Sequence, residues 1–367
     1  MSGFDLRKTA GRAARGALGW TASGVGSAVL LCLGLLAGCG SSDAAQPGPV
    51  TFPSQGVWGV IGGSLTDAND PNAIDRIDPA TGKMVGRILA HRPLDSTGLS
   101  PGVLSAMSCG GKIWAGGVGL DIIDPTTQSV QHLTHEANAL ILSQGCQQGF
   151  LWAVDSSTSG DSAIERYDSS GQLQQRIVLA EPMNLVVGST AVWVIDSYRQ
   201  VHRIDLATGQ DQVIDLSYEG LRYQYDAVAA DGQDVWVLTS YAPPGGGQIL
   251  LKLDESTGAL VSTIQLPPAG GQLLTLHAPG RIVVGFGSLW TCTVQTSGFA
   301  VTRIHPDTGA IDVVTGLGEC SDGEIGFGQV WATDYKNNSV VRIDPATNAV
   351  TGTTPTGTNP RSIAFSE

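Results

Sequence analysis

Val330-Trp331-Ala332-Thr333-Asp334, followed by Val340-Val341-Arg342-Ile343-Asp344-Pro345-Ala346-Thr347-Asn348, decides how this chain folds. The first stretch is an apolar strand with Trp at its second position. The next is a strand that ends in a turn built on Asp, Pro and Thr. The same layout recurs at Val57-Trp58, Ile113-Trp114, Leu151-Trp152, Val192-Trp193, Val235-Trp236 and Leu289-Trp290. The matching turns open at Asp78, Asp124, Asp168, Asp205, Asp254 and His305, where His replaces the usual Asp. Self-similarity at a period of roughly 40–50 residues, with strands and no helical pattern, is the mark of a propeller array. The prediction is an all-β, seven-bladed propeller of four-stranded antiparallel blades over residues 51–367.

The fourth unit serves as template. Asn184 to Gly188 is the innermost strand, Ala191 to Asp196 carries the Trp, Gln200 to Asp205 alternates, and Asp211 to Leu216 lies outermost. Gly at the end of the turn supplies the positive φ that a tight hairpin needs. A blade cannot bury both faces alone, so the Trp is expected at the contact with the next blade. The first unit begins directly at its Trp strand, with no innermost strand before it. Asn359-Pro360-Arg361-Ser362-Ile363-Ala364-Phe365 has the look of that missing strand, so the chain's end is expected to pair beside residues 56–62 and close the ring.

Residues 1–38 read as a leader. Arg7, Lys8, Arg12 and Arg15 precede a short apolar core from Val25 to Leu36. That core is shorter than the ~20 residues a spanning helix needs. Leu36-Ala37-Gly38-Cys39 then resembles the lipobox of bacterial lipoproteins, which implies cleavage before Cys39 and acylation of its thiol. Several acyl chains anchor stably where one does not. Residues 39–50, rich in small residues and Pro, read as a flexible tether. An extracytoplasmic, lipid-anchored protein is therefore expected, with a plain transmembrane anchor or an ordinary secreted protein as the alternative.

Without residues 1–38 the chain keeps 16 of its 20 basic and 32 of its 33 acidic side chains, a formal charge of −16. That argues against a nucleic-acid partner or an anionic membrane face, both of which want clustered Lys and Arg. It suits solubility first, and cationic ligands or divalent ions second. Four cysteines remain beyond Cys39. In an exported protein an even count favours disulfides, and neighbour pairing gives Cys109–Cys146 and Cys292–Cys320, with free buried thiols as the alternative. None has thiolate metal-site spacing.

The Trp strand, the Arg-Ile-Asp-Pro strand and the Thr-Gly turn together resemble the YVTN-type and virginiamycin B lyase-like propeller repeats. Val341 to Thr347 and Asp75-Arg76-Ile77-Asp78-Pro79-Ala80-Thr81 match best. The resemblance covers essentially the whole chain after the tether and implies a seven-bladed propeller. The lyase of that family uses His and Glu with magnesium near one face of its channel, and no shared motif places such residues here. Gly-His and Trp-Asp dipeptides of WD repeats are missing, as is the Trp after each Thr-Gly turn that marks quinoprotein dehydrogenases.

Aligning units on their Trp exposes one position at the start of each innermost strand. It is Ser105, Ser143, Asn184, Arg281 and Asp322, each nine residues before the Trp, with Asp226 ten before Trp236 and Arg361 in the closing strand. These seven form a candidate ligand-binding ring at the channel mouth, although channel mouths also collect polar residues simply because they are wet. Arg281, Asp322 and Arg361 would make an Arg-Asp-Arg arc able to hold an anion bidentately. Long insertions at Gly62 to Asn72 and Ser240 to Gln248 add loops to the scaffold. Asp67, Asn69, Asp70 and Asp75 could supply oxygen to Ca²⁺, or form a solvated acidic loop. Tyr218, Tyr223, Tyr225 and Tyr241 could rim a glycan or peptide site.

Catalytic motifs are missing: no GxSxG, HExxH, P-loop or GxGxxG. His277 with Glu319 or Glu324 is the one candidate acid/base pair near the mouth. The expectation is thus a tethered binding scaffold for a protein, peptide or glycan of the cell envelope, with no cofactor. The alternative is a streptogramin-lyase-like or hydrolytic enzyme using Mg²⁺ or Ca²⁺ at the mouth through His277, Arg281 and Glu324.

Overall fold

In the computed structural model, residues 56–61, 73–89, 103–133, 139–157, 161–216, 224–241, 248–266, 275–276, 281–295 and 298–366 are described. Among them every regular element is a strand, and all pairings are antiparallel. The strands form seven sheets, one per predicted unit, so the chain is a seven-bladed β-propeller. Blade 4 runs from innermost to outermost as Pro182–Val187, Ala191–Asp196, Val201–Asp205 and Asp211–Ile214. In blade 6 the innermost strand comes in two pieces, Thr275–Leu276 and Ile282–Gly285, both paired with Ser288–Gln295. The intervening sequence contains Pro279, which has no amide hydrogen to give to a ladder.

Ring closure is by the chain's two ends, as expected. Pro360–Ser366 pairs with Gly56–Ile61, setting Val57 opposite Phe365 and Trp58 opposite Ala364, and so completes blade 1 from the inside. Trp58 Nε1 donates to Ser366 Oγ at 2.9 Å across this seam.

Seven hydrophobic clusters hold the ring, and each joins two neighbouring blades. Trp58 of blade 1 packs with Ile113 and Ile123 of blade 2. Trp236 of blade 5 meets Ile282 and Leu289 of blade 6. Trp331 of blade 7 meets Val57, Ile363 and Phe365 of blade 1. All seven repeat Trp residues are buried, each removing on the order of 150–250 Å² from water. The second strand's Trp is therefore the wedge between blades.

Register explains the basic residue of the repeat motif. In six blades the third-strand residue directly opposite the Trp is cationic: Arg76, Arg166, Arg203, Lys252, Arg303 and Arg342. Blade 2 has Ile122 there instead. The charged groups of Arg76, Arg166, Lys252, Arg303 and Arg342 lie 4.9–5.8 Å from the indole centroids, within cation–π range. Several also reach the turn of the next blade. Arg303 Nη1 donates to Pro345 O at 2.7 Å, and Arg203 Nε to Glu255 O at 3.2 Å.

The repeated Asp of each turn caps it. Asp205 Oδ1 accepts from Ala207 N, Thr208 N and Thr208 Oγ1 at 2.8–3.1 Å. Asp254 makes the same kind of cap, and its hydrogen bonds from Ser256 and Thr257 lower its pKa to about 2. His305 keeps the turn's backbone pattern and bonds Asp312 at 2.8 Å instead.

Both neighbour disulfides are formed. Cys109–Cys146 joins the innermost strands of blades 2 and 3, and Cys292–Cys320 joins blade 6 to the segment entering blade 7.

Candidate functional site

The connectivity gives the ring two faces. One carries the turns from innermost to second strand and from third to outermost strand, which include the Asp turns. The other carries the starts of the innermost strands, and is the mouth face. Ser105 opens its strand, Ser105–Cys109. Arg281 and Asp322 immediately precede Ile282–Gly285 and Gly323–Gly326. Arg361 is second in Pro360–Ser366.

Six of the seven expected positions, Ser105, Ser143, Asn184, Arg281, Asp322 and Arg361, line one cavity of about 550 Å³. Asp226 does not. The ladder steps from Tyr225 opposite Thr239 to Ala227 opposite Leu238, passing Asp226 in a bulge, and Val228 and Ala230 line the cavity for blade 5. The extra residue in its spacing to the Trp is what the bulge absorbs. Ser143 also sits at a register shift, between Ile141 and Gln144. It stays in the wall through its Oγ, which bonds Leu185 N and O.

Charge gathers on the arc from blade 6 to blade 1. Arg281 Nη2 lies 2.5 Å from Glu324 Oε2, and its Nη1 3.9 Å from Asp322 Oδ2. Asp322 Oδ2 in turn accepts from Ser362 Oγ at 2.5 Å and Ile363 N at 3.1 Å, while Oδ1 accepts from Gly323 N. Ser362 Oγ accepts from Ala106 N at 3.0 Å. One polar chain thus runs through blades 6, 7, 1 and 2. Burial pushes the carboxyls of Asp322 and Glu324 up, against the pull of Arg281. Burial also opposes the charge on Arg281, but its two carboxylate neighbours outweigh that, and its pKa rises.

The expected Arg-Asp-Arg anion clamp is not what forms. Arg281 is bound to Glu324 and Asp322, and Asp322 ties the closing strand to blade 7. Arg361 is separate from them. Its guanidinium carbon lies 5.2 Å from the centre of the Tyr335 ring, with Nη2 3.5 Å from the Tyr335 hydroxyl. Glu324 is held by Arg281, and His277, its candidate partner, lies outside the described residues. Glu319 and Glu324, named beside His277 as near the mouth, do line the cavity, as do Gln144, Ser321, Tyr335 and Ser362, which the sequence did not point to. Tyr335 follows the second strand of blade 7, and topology alone puts every such turn on the mouth face.

Two other expectations change. Asp75 is buried, bonds Arg87 at 2.6 Å and accepts from Gly357 N at 2.8 Å, so it is a structural acid rather than a Ca²⁺ ligand. Asp67, Asn69 and Asp70 lie outside the described residues. Tyr225 is buried in the core between blades 4 and 5 and rims nothing. Tyr218, Tyr223 and the side chain of Tyr241 lie outside the described residues.

The family resemblance raises a divalent metal. Among the described residues no three His, Cys, Asp or Glu side chains converge as a metal site. Of the acids lining the cavity, Glu324 and Asp322 already have Arg281, Ser362 and backbone amides as partners. The described residues do not fit a metal.

The chain matches no protein-family model and no curated protein sequence. Solved structures do resemble it. Hydrazine synthase of Kuenenia stuttgartiensis superposes with a TM-score of 0.58 at 13% identity, covering 77% of this chain and 93% of that one. A streptogramin B lyase superposes at 0.54 with 18% identity, covering 75% and 89%. The Cps50 (Swd1) propeller of Myceliophteria thermophila gives 0.54 at 11%, covering 71% and 91%. At these identities the likeness is one of fold, a β-propeller.

Proposed function

We propose that this protein is a lipid-anchored, extracytoplasmic binding scaffold that takes a polar ligand of the cell envelope, such as a peptide or glycan, at its channel mouth. The observation that carries the reading is the cavity at the mouth, where polar side chains from six of the seven blades converge with a charged arc on one side. Cavities with a few convergent polar groups are the default binding sites of rigid folds. The lipobox-like Cys39 and the pair of inter-blade disulfides support export and anchoring. Glu324 and Asp322 are committed to Arg281 and the closing strand, which favours binding over acid/base chemistry.

Photo-crosslinking in intact cells tests this. A photoreactive side chain at Tyr335 should capture a discrete adduct, while the same probe at Thr81, on the opposite face, should not. Identical products from the two positions would remove the basis for a mouth site.

A further inference from the structure

Blade 1 begins on the face opposite the mouth. Gly56, its first strand residue, pairs with Ser366 at the turn-face end of blade 1. That end of the molecule carries exposed apolar side chains on six consecutive blades, from blade 3 round to blade 1. They include Leu260 and Val261 in blade 5, Phe286 in blade 6, Phe327 in blade 7, and Met84 and Val85 in blade 1. The aliphatic ones fall within the first three residues of an outermost strand, just after the third-to-outermost turn, as do Leu173, Val213, Val313 and Val350.

The two phenylalanines are the sharpest feature. Phe286 and Phe327 sit in the left-handed region, with φ of 54° and 52°, at the tips of innermost hairpins. The matching tips in blades 2 and 3 are Gly110 and Gln148. Such a position suits Gly, Asn or Asp, and a bulky side chain there is unusual. Backbone strain of this kind is kept where something uses it. Both rings are nevertheless about 40% exposed, at 43% and 39%. Phe327 packs edge-on against Phe365, which is paired with Val57 next to Gly56, the first described residue. The apolar surface is therefore continuous with the start of blade 1.

Cys39 and Gly56 are 17 residues apart in sequence, a span of at most about 60 Å when fully drawn out. A tether of that reach leaves either face within range of the bilayer for an acylated Cys39, so the choice between them falls to the surfaces themselves, with this face the nearer to where blade 1 begins. Several acids of the face are folded into their own turns, as at Asp78, whose carboxylate accepts from Ala80 N and Thr81 Oγ1. We infer that the turn face seats on the lipid surface through Phe286, Phe327 and their apolar neighbours, so that the channel mouth points away from the membrane. Apolar side chains entering the interface add to acyl anchoring. The inference rests on the lipid-anchor reading above.

The test uses the full-length acylated protein in zwitterionic phosphatidylcholine vesicles. A fluorescent amino acid is placed at exposed Ala80 on the turn face or exposed Tyr198 on the mouth face, with acceptor dye on the lipid headgroups. Energy transfer should be stronger from Ala80. Phe286→Ser with Phe327→Ser should erase that difference while the protein stays on the vesicles and melts as before. Equal transfer from both positions in the wild type, or a double variant that keeps the difference, overturns the seating. A difference that disappears as the protein is diluted across the bilayer also overturns it and assigns the face to a second copy. Cys39→Ser separates the two readings: if it leaves the protein as membrane-bound in cells as the wild type, the anchor reading fails, whereas loss of membrane binding with equal transfer fails the seating alone.

Discussion

Asp322 stands at the start of an innermost strand and lines the cavity, which is what its spacing to Trp331 predicts. Its carboxylate, however, is occupied by Ser362, Ile363 and Gly323, and it lies beside Arg281. Asp322→Ala would leave a buried amide, a hydroxyl and part of a guanidinium without their acceptor. The expected loss is about 3 kcal/mol in urea unfolding. Arg361→Ala, which removes a cation resting on Tyr335, should cost no more than about 1 kcal/mol. Equal costs for the two would mean that Asp322 is not the strap described. The contrast shows how far the site could be read in advance. Counting back from a Trp finds which residue reaches the channel, because strand position is a local property. It does not show which wall residues pair sideways, because Arg281, Glu324 and Ser362 come from three blades. Asp226 failed for a local reason, a bulge that the count could not see. Tyr335 and Glu319 sit on connections, where no repeat fixes the register.

At the scale of the blade, the repeat motif is one packing unit. The indole wedges against the next blade, the cation across the strand lies over it, and the same cation reaches the following turn. Arg342 carries this across the closure, from Trp331 in blade 7 to the turn of blade 1. A Cβ built on Gly82 would come 2.5 Å from the Arg342 guanidinium carbon, at a φ of 64°. Gly111 has a similar φ of 72° with nothing within 4 Å of its would-be Cβ. Gly111→Ala should therefore cost about 1 kcal/mol, the backbone term alone. Gly82→Ala should cost clearly more, since Arg342 must also leave the face of Trp331. Thermal melts of the two variants decide it, and matching losses would show that the Arg342 contact carries no weight. The Trp and the turn were plain in the sequence because each recurs at a constant place. The meaning of the Arg was not, because only the strand register shows that it faces the indole.

For the whole molecule, blade number followed from counting the Trp repeats and closure from counting strands at the two ends, since a ring leaves no strand over. How the assembled ring responds to pH follows from groups of opposite tendency. The turn carboxylates Asp78, Asp168, Asp205 and Asp254 are held below their ordinary pKa by hydrogen bonds within their turns, and Asp124 is lowered to about 2, chiefly by Lys112. A depressed carboxylate contributes stability above its unfolded value of about 4, and that contribution is lost as pH falls through the folded one. Asp322 and Glu324 are shifted the other way by burial, so the folded state holds their protons more tightly and gains stability as pH falls towards that same value. His202, in blade 4, is buried with Asp211 at 3.0 Å and Asp196 at 3.4 Å on its two ring nitrogens. Burial opposes its charge, but the two carboxylates outweigh it and its pKa is raised. Its contribution is complete below the unfolded histidine value of about 6.5 and is lost as pH rises through the folded one. Stability should therefore peak between about pH 4 and 6.5, falling steeply on the acid side as several turns lose their caps together and gently on the other. His202→Asn should remove most of the decline above pH 6.5 and leave the acid limb in place. Melting temperatures recorded from pH 2 to 8 check this, and a curve that keeps climbing to the alkaline end would show that neither the buried mouth acids nor His202 titrates as its surroundings require.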